Sequence, residues 1–416
     1  MAEEHSGAIA ERDQGAATAT WQRTLWAMVG IQFINTMAFS VLSPIMPLFL
    51  PVLGVETPSA VAMWSGILNG VTSFVAAFAS PLWGRLADRR GRKLMLIRST
   101  LAIGAFTALM GIAANIWQFF AFRADGGVCR FLQCGDRTGG EPGPERRLGF
   151  ALGWLSTGQL VGSLVGPLIG GLLADLTGSY RIPFYCTSAT ILMSTGLVWV
   201  TVRESFVAPS QTRGGRSILG SLIAVARSPG LLALFFVLLM AQFGVRTVQP
   251  VVTLFVQELV GARPDLATLS GIAFSVTGLS NVIAAPFLGN RSDVIGYRRV
   301  LLICLLGATL TTLPQAFTYN YWIFTAQRFA VGLFIGGILP TANALVGRLV
   351  PRAERGTVYG ITASAMFLGN SMGPLTGGAV AAALGLRWVF LVTAAVLLAN
   401  LLWVYYRVPE YVDREG

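Results

Sequence analysis

Half of this chain resembles the other half. The stretch from Ser80 to Phe106, continued at 115–123, recurs from Ala285 onward and at 320–328. Gly84, Asp88 and Gly91 are matched by Gly289, Asp293 and Gly296, each 205 positions later. Gly162, Gly166, Pro167, Gly170 and Gly171 keep their spacing in Gly369, Gly373, Pro374, Gly377 and Gly378, each 207 positions later. A repeat at half the chain length, set in apolar sequence, constrains the fold to a duplicated bundle whose halves face each other across a central site. That arrangement suits a transporter.

Of the 416 residues, 54% are hydrophobic and 12% charged, with a mean hydropathy of +0.65. A soluble domain of this size needs more charged surface, so the composition implies a polytopic membrane protein. The apolar runs approach the length of a helical span and lack the alternation of barrel strands, which makes the chain all-α. Spans are expected at 24–50, 62–83, 94–113, 149–173, 182–202, 230–256, 268–289, 299–318, 321–349, 357–383 and 386–407. This divides the chain into an N-terminal tail (1–23), a six-helix bundle (24–202), a linker with an amphipathic segment (203–229), a second six-helix bundle (230–408) and a short tail (409–416).

The net charge of +11 would suggest nucleic acid in a soluble protein. Here the arginines fall in short connections, and mostly on one side: Arg85, Arg89, Arg90, Arg92 and Lys93, then Arg203, Arg213, Arg216 and Arg227, then Arg291, Arg298, Arg299, Arg348, Arg352 and Arg355. The opposite connections carry single residues such as Arg181, Arg263 and Arg387. By the positive-inside rule both termini face the cytoplasm, with the bundle in an inner, plasma-type membrane and no nucleic-acid partner. The N-terminal tail has no apolar core, so no cleaved signal peptide is expected.

Cys129, Cys134, Cys186 and Cys304 show no metal-ligand spacing, and the one histidine, His5, lies in the N-terminal tail. No cofactor, metal site or catalytic constellation is expected, and no Walker sequence would support ATP-driven transport. Between Ala124 and Gly143 the hydropathy collapses, whereas the matching stretch 329–350 is plainly a span. The fourth helix is therefore expected to begin at Trp117 and stop after Arg123, leaving one of twelve spans without its body. Residues 124–144 are expected to be a frame-shifted stretch. Read from the second base of the Ala124 codon, permitted codons also encode LMAGFAGFSSAAIALVASQVP, an apolar segment ending in Pro.

The segment from Gly84 to Lys93, flanked by Trp64, Ser65 and Gly66 and by Ser80 to Trp83, resembles the loop signature of the major facilitator superfamily, in its multidrug efflux branch of drug:proton antiporters. Physically, Gly84 would let two helices approach, Asp88 would face a helix N-terminus, and the arginines would hold the connection at anionic lipid. The resemblance implies that Asp88, Arg89 and Arg92, with Gly91 and the repeat copy, form a conformational switch whose charge contacts favour an outward-facing state. Gly158, Gly162, Gly166, Pro167, Gly170 and Gly171 resemble the antiporter pattern of the fifth helix. Small residues at every fourth position also make a flat packing face, and Pro167 lets the helix bend. The copy in the eleventh helix leaves plain helix packing open as the alternative.

Arg123 resembles the branch's fourth-helix Arg, which the family links to proton transfer. An Arg inside a span costs roughly 2.5 to 3.5 kcal/mol on insertion scales, so it needs a function or a partner. Arg246 is the other intramembrane charge, either facing a cavity or snorkelling. No Asp or Glu falls in mid-span; Asp175 and Glu258 lie at helix ends, and Asp88 and Asp293 in loops. Gln32, Asn35, Met37, Gln242, Gln249, Asn343, Phe367 and Asn370 are candidates for the cavity wall, each equally explicable as an interhelical contact. Ser43 to Pro47 matches the family's first-helix proline pattern or a simple kink. The expected function is export of hydrophobic or amphiphilic toxic compounds in exchange for protons, by a monomer in the lipid bilayer. The alternatives are a metabolite or sugar facilitator of the same fold, or an inactive, frame-shifted product.

Overall fold

The computed structural model describes residues 25–129, 148–201, 229–349 and 355–408. All regular structure among them is helical. In the first half, α1 (Leu25–Val41) and the short α2 (Met46–Phe49) precede α3 (Pro58–Arg90), α4 (Arg92–Ile112), α5 (Ile116–Cys129), α6 (Leu148–Thr177) and α7 (Ile182–Thr201). In the second, α8 (Pro229–Thr247) and α9 (Val252–Val260) precede α10 (Leu266–Ile295), α11 (Tyr297–Thr312), α12 (Tyr321–Leu349), α13 (Arg355–Leu384) and α14 (Leu386–Arg407). Nine of the described helices are long and apolar enough to cross a membrane, ten if the bent first pair counts as one span. That pair turns by 44° between Val41 and Met46, where Pro44 withholds a backbone donor and breaks the ladder.

Two expectations change. The segment Gly84–Lys93 is not a loop, because α3 continues to Arg90 and α4 starts at Arg92. Asp88 therefore lies on α3 and Asp293 on α10, not in loops. One glycine makes each turn: Gly91 at φ 91° and Gly296 at φ 101° occupy backbone that side-chain-bearing residues rarely adopt. This is the physical reason both copies of the motif keep glycine there. The fourth helix also does not stop after Arg123 but runs on to Cys129. Gly127 makes this possible by pressing against α3, where an added Cβ would lie 3.0 Å from the Thr72 carbonyl oxygen. The Trp83 indole N–H, donating to the Val128 carbonyl at 2.6 Å, ties down that last turn. Asp125 rides on this turn in an exposed position. The rest of the stretch read as frame-shifted, and the linker, lie outside the described residues.

Each half carries the same buried knot. Phe49, Phe119 and Phe184 pack with ring centroids 5.1 to 5.7 Å apart, and Phe255, Phe324 and Phe390 do the same at 4.8 to 5.9 Å. Edge-to-face and tilted packing of this kind adds to the stabilisation from burial alone. Arg181 and Arg387 cover the two knots with their guanidinium groups 5.5 Å from the Phe49 and Phe255 rings. Each also donates to a carbonyl, Arg181 to Gly111 at 2.8 Å and Arg387 to Ala316 at 2.9 Å. Arg387 further pairs with Glu258 at 3.0 Å. These two arginines of the sparsely charged end thus brace the bundle.

Candidate functional site

The two halves meet along two crossed seams built from the repeated glycines. In α6, one row of glycines faces α1 of its own half. A Cβ on Gly162 would lie 2.6 Å from the Phe33 carbonyl oxygen and 2.9 Å from the Met37 nitrogen; Gly158, Gly166 and Gly170 meet the backbone at Val29, Met37 and Val41 in the same way. The neighbouring Gly171 faces the other half, against Ala267 and Thr268 of α10. Reciprocally, Gly271 of α10 lies against the Pro167 carbonyl, and Ser275 donates to the Leu164 carbonyl at 2.6 Å. The second seam repeats the first: Gly369, Gly373 and Gly377 of α13 face α8, while Gly378 meets Ala62 and Gly66 of α3, and Gly66 lies 2.5 Å from the Pro374 carbonyl oxygen when given a Cβ. Backbones this close leave no room for a side chain, so glycine at these positions sets the geometry of the interface.

Both seams are tight at the arginine-poor end. There one apolar core joins the halves, running from Val41, Ile45 and Phe49 to Val248, Val252 and Phe255. The Thr253 hydroxyl of the second half donates to the Pro44 carbonyl of the first at 3.1 Å. At the arginine-rich end the described core clusters stay within one half, Ile31, Leu96 and Val198 in the first and Leu234, Leu301 and Leu345 among those of the second. A Cβ on Gly153 of α6 or on Gly289 of α10 would meet nothing within 4 Å. Close helix approach is therefore not what Gly289 provides in this conformation, and its match Gly84 lies outside the described side chains. Among the described residues, the halves share a core at one end and none toward the other.

Within the span, three of the residues singled out from sequence come together. Arg246 donates through Nε to the Asn370 amide oxygen and through Nη1 to the Gln249 amide oxygen, both at 2.9 Å. It is half-buried and bridges α8 to α13, so it does not snorkel freely to the surface. Arg123 is likewise half-buried and donates through Nε to the Leu68 carbonyl of α3 at 3.1 Å. Asn35 sits elsewhere: it is 3% exposed, on the stripe that includes Ile31 and Ala38, which pack within the first bundle. Neither polar atom of its amide finds a partner among the described residues. Gln242 is buried on α8, with its Cβ 2.9 Å from the position a Gly369 Cβ would take. Gln32, Met37, Asn343 and Phe367 are half-buried. The Tyr297 hydroxyl donates to the Asp293 carboxylate, closing the repeat copy of the turn motif onto itself. Asp88 and Arg89 on α3 and Arg92 on α4 lie outside the described side chains.

Sequence reasoning passed over the aromatic knots, and it placed Asp175 at a helix end without giving it a role. The knots keep the repeat's own register: Phe255 follows Phe49 by 206 positions, Phe324 follows Phe119 by 205, and Phe390 follows Phe184 by 206. Extending the repeat beyond its glycines would have found them.

Two pseudo-equivalent helical bundles, crossed at glycine seams and enclosing polar groups inside a membrane span, define the architecture of a secondary transporter and not of an enzyme. The chain belongs to the Major Facilitator Superfamily, whose sequence profile matches residues 28–269 and 234–415. It is 37% identical over 98% of its length, and 99% of the relative's, to the "Multidrug resistance protein MdtG" of Erwinia billingiae. It is 39% identical to the protein of that name from Serratia proteamaculans, covering 93% of this chain and 94% of that one. Among solved structures, a bacterial homolog of the human lysosomal transporter Spinster, in an inward-facing and unoccupied conformation, aligns with a TM-score of 0.74 at 15% identity over 93% of this chain and 96% of the other. A point mutant of the nucleoside transporter NupG aligns with a TM-score of 0.71 at 12% identity, over 93% of this chain and 100% of that one.

Proposed function

We propose that this protein exports drug-like hydrophobic or amphiphilic compounds, by alternating access and in exchange for protons. The observation that carries this reading is nearly end-to-end similarity to proteins named for multidrug resistance. Tight seams and a shared core at one end, with no shared core among the described residues at the other, fit one of the two states that alternating access needs. With the arginine-rich end cytoplasmic, the conformation is inward-facing, both termini are cytoplasmic, and the protein lies in the plasma membrane as a monomer. Arg246, Gln249 and Asn370 supply fixed polar contacts between apolar helices, the pattern of a site that orients a mostly apolar ligand. Arg123 is the proton-coupling candidate: held on the Leu68 carbonyl, it can exchange that acceptor for another as the halves move.

The test is uptake of a fluorescent amphiphilic dye into inverted vesicles containing the protein. Dye uptake that follows acidification of the vesicle interior and collapses on adding an uncoupler supports the reading. Uptake indifferent to the uncoupler removes proton exchange, and no dye movement in vesicles with correctly inserted protein removes drug export.

A further inference from the structure

We propose that Asp175 is the latch that holds the arginine-poor end shut, by capping a helix of the opposite half. This rests on the alternating-access reading above and adds the residue that sets the balance between its states. Asp175 closes α6 in the first half, and its carboxylate reaches the start of α10 in the second. One oxygen accepts from the Thr268 backbone N–H at 2.7 Å, the other from the Ala267 N–H at 3.3 Å. Both donors belong to the first turn of a helix, where backbone N–H groups have no partner in their own helix and the macrodipole is positive.

The local cap is absent. Asp265 precedes α10 in the position from which an acidic side chain commonly caps, yet it makes no such bond and instead holds Arg263 at 3.0 and 3.1 Å. The helix is therefore capped in trans, by the other bundle. One turn before Asp175, Gly171 brings the backbones of the two helices together at Ala267 and Thr268, which fixes the reach of the carboxylate. The latch is on one seam only, since the residue 207 positions after Asp175, in register with the glycines of the two helices, is the half-buried Ala382. When the seam parts at this end, α10 loses its cap and the carboxylate loses both donors. Closing restores them. A charged cap thus biases the equilibrium toward the state closed at the arginine-poor end, without touching a transported molecule.

The experiment uses the full chain purified in detergent, with Cys129, Cys134, Cys186 and Cys304 replaced by Ser and one reporter cysteine added. Ile45→Cys reports on the core joining the halves, where Ile45 is 0% exposed; Leu305→Cys, also 0% exposed, reports on the interior of the second half alone. Alkylation by a water-soluble maleimide is timed in each. Asp175→Asn keeps the shape and loses the charge, so it should speed labelling at position 45 by about three- to thirtyfold, the range expected for losing a charged cap. Labelling at position 305 should be unchanged, and Asp175→Glu should return position 45 most of the way to the parental rate. No acceleration at position 45 overturns the proposal, and equal acceleration at both reporters, the mark of general loosening or misfolding, overturns it as well. No substrate or proton gradient enters, so failure here leaves drug export standing, and failure of dye extrusion leaves the latch standing.

Discussion

At the seams, one methyl group separates contact from collision. A Cβ on Gly170 would collide with the Val41 carbonyl oxygen, whereas one on Gly289 would meet open space. Gly170→Ala should therefore destabilise the protein by about 1 to 3 kcal/mol, the usual cost of overpacking. Gly289→Ala, relieved of glycine's entropy in a helix, should be neutral or stabilise by roughly 0.5 to 1 kcal/mol. Thermal unfolding in detergent decides between them, and equal effects would remove the seam argument. The same scale holds Arg246, whose planar fork reaches Asn370 and Gln249 at once. Lysine offers a point charge without that geometry. Arg246→Lys should cut dye extrusion by about tenfold at unchanged expression, and full activity would show that the fork positions nothing.

At the scale of elements, α5 is the weak member. It has 14 residues in the described structure, and the residues that would have to complete a span carry Arg130, Asp136, Arg137 and Glu141. Charges of this kind cost roughly 2.5 to 3.5 kcal/mol each at a span centre, so the chain as it stands is expected to transport poorly. Replacing residues 124–144 with the apolar segment encoded in the shifted frame should raise dye extrusion several-fold, and the gene's own codons test the origin of the break. Polar residues or stops in the shifted frame would end the frame-shift explanation. Most other elements were legible in the sequence, because apolar runs near 20 residues have few alternatives in a bilayer. The turn motif was not, since Asp88 and Asp293 sit among arginines that read as a surface loop. Only the φ of Gly91 and Gly296 shows that one residue suffices to reverse the chain. Partners across the seams were equally hidden: sequence gives the row of small residues but not which backbone lies opposite. Arg246, Gln249 and Asn370 could be named as polar residues in apolar runs, but their meeting depends on how α8 and α13 cross.

For the whole molecule, the repeat fixes two bundles, and the seams fix how they move. Closure at the arginine-poor end involves a shared apolar core and one cross-half cap, so opening there requires both to separate together. Orientation follows from charge: reporter fusions at Ser210 and at the C-terminus should both read cytoplasmic, and an external signal at Ser210 would invert the topology. Rocking is tested most directly by paired spin labels on the cysteine-free chain in lipid, measured in two separate samples. Leu176 and Tyr319, 75% and 78% exposed, report across the arginine-poor end, while Val200 and Val294, 78% and 79% exposed, report across the other. On adding ethidium or acidifying the sample, the first distance should lengthen while the second shortens, with populations exchanging between two discrete values. Distances that stay fixed, or that lengthen together at both ends, would contradict an exporter that works by alternating access.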